Sequence, residues 1–214
     1  MDNLRNEMLT RWNEKGGTYD NGAHGIGDPA EIEAWKKLFE ACPSKTKHLD
    51  VGAGTGFVSL IAAECDMDVT ALDWSDTMLN QAKTKAEEQN LVINFVQGVT
   101  ETLPFEDAAF ELLTARHVMW TLAEPEQAFR EWGRVLKEGG RAWADYSPRI
   151  GPGHHYSEDV ENSLPLNKNI APEIIAELFQ KAGFRDVGYT VEEKGHAHGD
   201  HIHKRLHYFF TCTK

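Results

Sequence analysis

Apolar positions in this chain recur first at a helical spacing, then at every second residue, and the two patterns alternate. Residues 2–14 read as a helix. The stretch "DPAEIEAWKKLFEA" (28–41) opens with an Asp cap, Pro at the first helical position and acids in the first turn. Its Ile32, Trp35, Leu38 and Phe39 share one face. A strand is predicted at 47–51, a helix at 55–65, a strand at 68–73, and a helix at 75–89 capped by Ser75 with Met78, Leu79 and Ala82 inward. Strands follow at 91–98 and 109–115, a helix with a glycine stop at 124–140, and a strand at 141–147.

Strands alternating with amphipathic helices pair in parallel, with helices on both faces and right-handed crossovers. The expected fold class is therefore α/β, a Rossmann-like doubly wound sheet. After Ser147 the alternation breaks into "PRIGPGHHYSEDVENSLPLNKN", a loop of roughly twenty residues, a length that signals function or disorder. A helix at 171–183 follows. Segments 184–193 and 204–214, joined by a His-rich connection, read as an antiparallel pair closing the sheet.

The chain has 214 residues, which suits one compact unit with an appended segment. Residues 1–44 are expected to form an N-terminal helical cap, and 45–214 the main domain. The formal net charge is −12, which repels phosphate backbones and anionic lipid, so neither nucleic acid nor membrane is an expected partner. The sequence shows no apolar span of bilayer length and no apolar leader. Three scattered cysteines fit a reducing, cytoplasmic compartment better than a disulfide framework or a cysteine zinc site.

"KHLDVGAGTGFVSL" (47–60) carries the strongest candidate chemistry. Asp50 ends the first strand, and Gly52, Gly54 and Gly56 turn the chain into the next helix. A dinucleotide site wants glycine at the first, third and sixth positions, so that pyrophosphate sits on the helix N-terminus; here the sixth is Phe57. An acid ahead of the glycines instead suits a ligand with a cationic amino-acid end, which Asp50 attracts while Gly52 and Gly54 admit it closely. Asp73 follows at the spacing of a ribose-binding acid, and otherwise serves as an N-terminal acid for the next helix. Trp74 and Met78 suit the faces of an adenine ring, or the core.

Taken in order, "HLDVGAGTGF", "VTALDWSDTML", "GVTETLPFEDAAFELLTARHVMWTL" and "EWGRVLKEGGRAW" resemble the successive motifs of class I S-adenosylmethionine-dependent methyltransferases, over roughly residues 45–146. The resemblance is greatest to the small-molecule branch that includes the quinone-biosynthesis type. It implies a seven-stranded sheet whose last strand is antiparallel, with S-adenosyl-L-methionine as cofactor. It further implies that Asp50, Gly52 and Gly54 line the methionine side. Asp73 would hold the ribose, Trp74 and Met78 would flank the adenine, and Thr100 and Glu101 would border its edge. The chain departs from the family at Val99, where an acid commonly follows the glycine to accept from the adenine amino group. Losing a bond to a charged group costs about 1.5–3 kcal/mol.

Methyl transfer is an in-line displacement, so the protein must hold nucleophile and methyl in line, and needs a base only when the nucleophile arrives protonated. Arg116 and His117 end the fourth strand, and His117 is the candidate acceptor contact or base; otherwise it is a hydrogen-bonded spacer. Tyr19 and His24 in a glycine-rich N-terminal stretch, and His154, His155 and Tyr156 in the long loop, are candidate lid and acceptor contacts, or surface loop. His196, His198, His201, His203 and His207 crowd one segment, and His201 and His203 share a strand face. A polar hairpin tip is the expectation there, with no metal site. The acceptor is expected to be a small molecule. Two other readings are a nicotinamide-dinucleotide oxidoreductase and a non-catalytic nucleoside- or metal-binding protein. The motifs do not encode the acceptor, the methylated atom or the oligomeric state.

Overall fold

Leu49 and Val51 have no exposed surface, and the short apolar run that holds them becomes an inner strand of a seven-stranded sheet. The computed structural model describes residues 2–21, 29–148, 156–198 and 201–214. Its elements run α1 (Asp2–Gly16), α2 (Pro29–Glu40), β1 (Lys47–Val51), α3 (Phe57–Glu64), β2 (Asp68–Asp73), α4 (Asp76–Glu88) and β3 (Asn94–Gln97). They continue with β4 (Phe110–Ala115), α5 (Pro125–Val135), β5 (Leu136–Tyr146), α6 (Glu158–Ser163), α7 (Pro172–Lys181), β6 (Arg185–His198) and β7 (His201–Thr213).

The strand order is β3-β2-β1-β4-β5-β7-β6. β1 to β5 are parallel, while β7 runs antiparallel between β5 and β6, as the closing hairpin predicts. Order reverses between β1 and β4, and a doubly wound sheet opens a crevice at that point, beyond the strand C-termini. Each face carries its own core. Trp35 and Phe39 of α2 pack with Val58 and Ile61 of α3 on one side, and Phe129 and Trp132 of α5 with Phe179 of α7 on the other. Phe129 and Phe179 stack at 4.1 Å between centroids, which adds about 0.5–1.5 kcal/mol beyond their burial.

Four local expectations are corrected. The helix expected to reach 140 ends at Val135, because fully buried Leu136 joins the sheet opposite Phe110. The strand register then shifts before Leu112 pairs with Arg141, and Gly139 at φ 76 and Gly140 carry the bulge. β3 covers only Asn94–Gln97, since it pairs along β2 from Asn94 onward and Val92 stays exposed. The long loop holds a helical turn, α6, pinned by buried Val160 against Met8 of α1. The hairpin strands extend through His196↔His203 to His198↔His201, so the histidine segment is strand backbone; the side chains from 194 to 205 and residues 199–200 fall outside the description.

Candidate active site

Asp73 is the best-placed acid in the crevice. β2 delivers it to the strand end, where its Oδ2 accepts the Gly54 amide at 2.8 Å and its Oδ1 the Ser75 amide at 2.9 Å. The Ser75 hydroxyl caps α4 by accepting from the Met78 amide at 3.2 Å, as the sequence predicts. Burial pushes the Asp73 carboxyl up to about 6, against the opposing pull of the Ser75, Gly54 and Trp74 amides.

The glycine turn is equally specific. Gly52 lies at φ 63, and a Cβ there would meet Val118 Cγ2 at 2.3 Å. Gly54 lies at φ 55, but a Cβ there meets nothing within 4 Å. The first glycine is needed for packing, and the second borders open space.

That space is a crevice whose empty volume, counting the part that is open solvent, is about 770 Å³. Of the residues singled out from sequence, Tyr19, Gly52, Gly54, Asp73, Trp74, Met78, Thr100, Glu101, Arg116 and His117 all line it. Thr100 Oγ1 accepts from Trp132 Nε1 at 2.8 Å, and Glu101 Oε1 accepts the Ala123 amide at 3.2 Å.

Asp50 does not reach the wall. It is 1% exposed, and its two oxygens accept from Ser59 Oγ at 2.6 Å and Thr114 Oγ1 at 2.8 Å. Burial pushes its carboxyl up to about 6, opposed by those two hydroxyls and by Arg116. Since Thr114 donates to Asp50, it must accept from His48, whose Nε2 lies 2.7 Å away. Burial holds His48 neutral, pushing it down to about 3, with its Nδ1 unpartnered. The pleat explains this placement: Asp50 pairs with Thr114 across the β1–β4 ladder and sits beneath α3.

Tyr156 stands at the periphery, where its hydroxyl accepts from Trp12 Nε1 at 2.7 Å. His24, His154 and His155 lie outside the described residues. Sequence reasoning overlooked Arg5, Met8 and Trp12, which line the cavity from α1. Their spacing of three and four residues on one helix face was the available signal. It also overlooked the partners of the acceptor-side pair. Arg116 binds Glu31 of α2 in a fork at 2.8 and 3.2 Å and lies 4.2 Å from the Phe57 ring centroid. His117 approaches Asp145 of β5, with ring Nδ1 3.1 Å from Oδ2.

The N-terminal segment is fastened over the cavity. Asp20 accepts from Thr55 at 2.6 Å and pairs with Lys85 at 2.8 Å, while Ser75 donates to Asn13 at 2.6 Å. Among the described residues no cluster of His, Cys, Asp or Glu forms a metal site.

An adenosyl group suits this donor set. A buried acid with both oxygens already oriented keeps lone pairs for a ribose diol, open space beside Gly54 admits a ligand, and Trp74 and Met78 offer an aromatic and a thioether face.

Comparison with known proteins agrees. The chain matches the methyltransferase-domain family over residues 49–144. It is 32% identical over 178 residues to a demethylmenaquinone methyltransferase of Renibacterium salmoninarum, spanning 79% of this chain and 72% of that protein. A ubiquinone/menaquinone biosynthesis C-methyltransferase of Brucella anthropi is 31% identical over 201 residues, spanning 78% and 73%. The fold matches YcgJ of Bacillus subtilis with TM-score 0.66 at 18% identity, over 87% of this chain and 99% of that one. It also matches Haemonchus contortus phosphoethanolamine N-methyltransferase 2 in complex with S-adenosyl-L-methionine, with TM-score 0.71 at 17% identity, over 95% and 60%. With a seven-stranded doubly wound sheet, an acid-and-glycine crevice and relatives of this identity, the chain belongs to the class I S-adenosylmethionine-dependent methyltransferases.

Proposed function

We propose that this methyltransferase acts on a small, planar, apolar acceptor of the quinol type, bound between the N-terminal segment and the end of β4. One observation carries this reading: Arg116, His117, Tyr19 and Trp12 share a single cavity with Gly54 and Asp73. Donor and acceptor ends are thus adjacent, and the acceptor end offers aromatic walls. The relatives named for demethylmenaquinone and ubiquinone/menaquinone support a ring acceptor.

Bound in this crevice, the cofactor supplies an electrophilic methyl group on a sulfonium. Asp73 holds the ribose hydroxyls, the Gly52–Gly54 turn receives the methionine end with Asp50 beneath it, and Trp74 and Met78 enclose the adenine. Glu101, with Oε1 committed to the Ala123 amide, offers its other oxygen to the adenine amino group in place of the acid that Val99 replaces. Thr100 borders the same edge. His117 accepts a proton from the acceptor, and Arg116 and Tyr19 orient it. Residues 1–44 act as the lid over a catalytic unit of 45–214, and the lid keeps water out.

Three free cysteines support a reducing, cytoplasmic setting. No helix among the described residues is long and apolar enough to cross a membrane. The net charge of −12 argues against nucleic acid as a substrate. Calorimetry with S-adenosylmethionine, S-adenosylhomocysteine and NADH tests the donor side, and transfer of labelled methyl to a menadiol tests the acceptor. Binding of NADH alone, or labelled product with protein acceptors only, overturns the reading.

A further inference from the structure

His117 sits just past the end of β4 at φ 59, a left-handed conformation uncommon outside glycine, and one carboxylate holds it there. Its backbone N–H donates to Asp145 Oδ1 at 2.5 Å, and its ring Nδ1 lies 3.1 Å from Oδ2. Asp145 is 4% exposed. From the far side, β7 brings buried His207, whose Nε2 is 3.4 Å from the same Oδ2 and whose Nδ1 is 2.8 Å from Ser147 Oγ. The two imidazole rings are 5.9 Å apart and nearly perpendicular.

We propose that Asp145 and His207 are positioning residues that fix His117 as a proton acceptor with Nε2 toward the cavity, so that the acceptor is a molecule whose attacking atom arrives carrying a hydrogen. This rests on the methyltransferase reading and narrows it: a phenolic hydroxyl, a thiol or an activated ring C–H qualifies, and a neutral amine with a free lone pair does not need the device. An ionised carboxylate can only accept, so the Nδ1 facing Asp145 carries the proton and the lone pair of neutral His117 is on Nε2. Burial alone would push Asp145 upward, yet His117, His207 and Arg116 outweigh it and hold it well below the ordinary carboxylate range.

The step balances. The bond from the attacking atom to hydrogen breaks as its bond to the methyl carbon forms, the electron pair of the old carbon–sulfur bond stays on sulfur, and the proton ends on His117 Nε2. Asp145 then faces an imidazolium whose charge it matches. His207 touches the same oxygen from the other side, so it helps fix where that oxygen stands. Among the described residues, the charged and titratable groups beside this unit include Arg116 with its partner Glu31, and the Tyr19 phenol, which burial raises and on which Asp20 and Asp73 also act.

Imidazole nitrogen NMR of the ligand-free protein across pH tests the proposal without any acceptor. Neutral His117 is expected as the Nδ1–H tautomer, and Asp145→Asn, whose amide can either accept or donate, is expected to give a mixture of the two tautomers. His207→Gln is expected to loosen the ring's placement and admit part of the other tautomer. An Nε2–H tautomer in the unmodified protein overturns the proposal by itself, even if Asp145→Asn does not fold. So does an unchanged tautomer in an Asp145→Asn variant that folds by circular dichroism. Calorimetric titration with S-adenosylhomocysteine on the same samples separates the two failures, because loss of that binding in the unmodified protein concerns the methyltransferase reading alone.

Discussion

Asp73 Oδ2 accepts the Gly54 amide at 2.8 Å, tying the end of β2 to the turn that follows β1. The acid proposed to hold a ribose thereby also sets the backbone of the loop beside it. Asp73→Asn keeps one acceptor but loses charge, and Asp73→Ala loses both. Calorimetry is expected to show weaker binding of S-adenosylmethionine and S-adenosylhomocysteine in each, with Ala the weaker. Equal affinity would remove Asp73 from the site.

The same carboxyl gives a pH signature. Its value of about 6 lies above the ordinary 3.8, so it is ionised at pH 7 and mostly protonated at pH 5. Hydroxyl donors favour the ionised form, and affinity for S-adenosylhomocysteine is expected to fall about tenfold from pH 7 to pH 5. Asp73→Asn should flatten that profile.

The two glycines of the turn separate folding from binding. Gly52→Ala drives a methyl group into Val118 Cγ2 and strains φ, so a lower melting temperature is expected. Gly54→Ala meets no neighbour and carries only the strain of φ 55, a cost of about 1–2 kcal/mol. Its fold should survive while cofactor affinity drops, because the new methyl enters the open space proposed for the cofactor. A folded Gly54→Ala variant with full affinity would contradict the placement.

Asp50 works on stability. A carboxyl raised from 3.8 to about 6 binds more protons in the folded than in the unfolded state, so its contribution declines as pH rises through that window. The decline is on the order of 3 kcal/mol. Asp145 and Glu111 are held low and act in the opposite sense, losing stability as pH falls. The difference between the parent and Asp50→Asn isolates Asp50. Urea melts are expected to show the variant gaining on the parent between pH 4 and pH 7.

Arg116 and Glu31 form a fork with side chains only 7% and 14% exposed. Arg116→Met alone leaves a carboxylate facing an apolar group and is expected to cost about 3–5 kcal/mol in a denaturant melt. Adding Glu31→Gln should recover part of that loss. Additive effects of the two changes would show that the pair is not coupled.

Local rules made much of this molecule legible. The Ser75 cap, the glycine turn and Asp73 lie within a few residues of the structure they set, so spacing and turn chemistry reveal them. The hydrophobic period placed the faces of α2 and α4 for the same reason. Asp50 was legible as an acid at a strand end, but not as one turned away beneath Ser59 and Thr114. Its direction depends on the β1–β4 register, which no local rule supplies. The end of α5 was missed because buried Leu136 prefers its sheet partner Phe110 over another helical turn.

By itself, then, the sequence determined an alternating α/β order, a closing hairpin and an acid-and-glycine crevice, because each is written in short-range pattern. Tertiary structure alone decided which distant groups meet: Glu31 with Arg116, Trp12 with Tyr156, and Asp145 with both His117 and His207. These pairs form only when strand order reverses between β1 and β4 and β7 inserts antiparallel beside β5. Such contacts depend on how whole layers stack, and that stacking is set by burial summed over the chain, not by any one stretch of it.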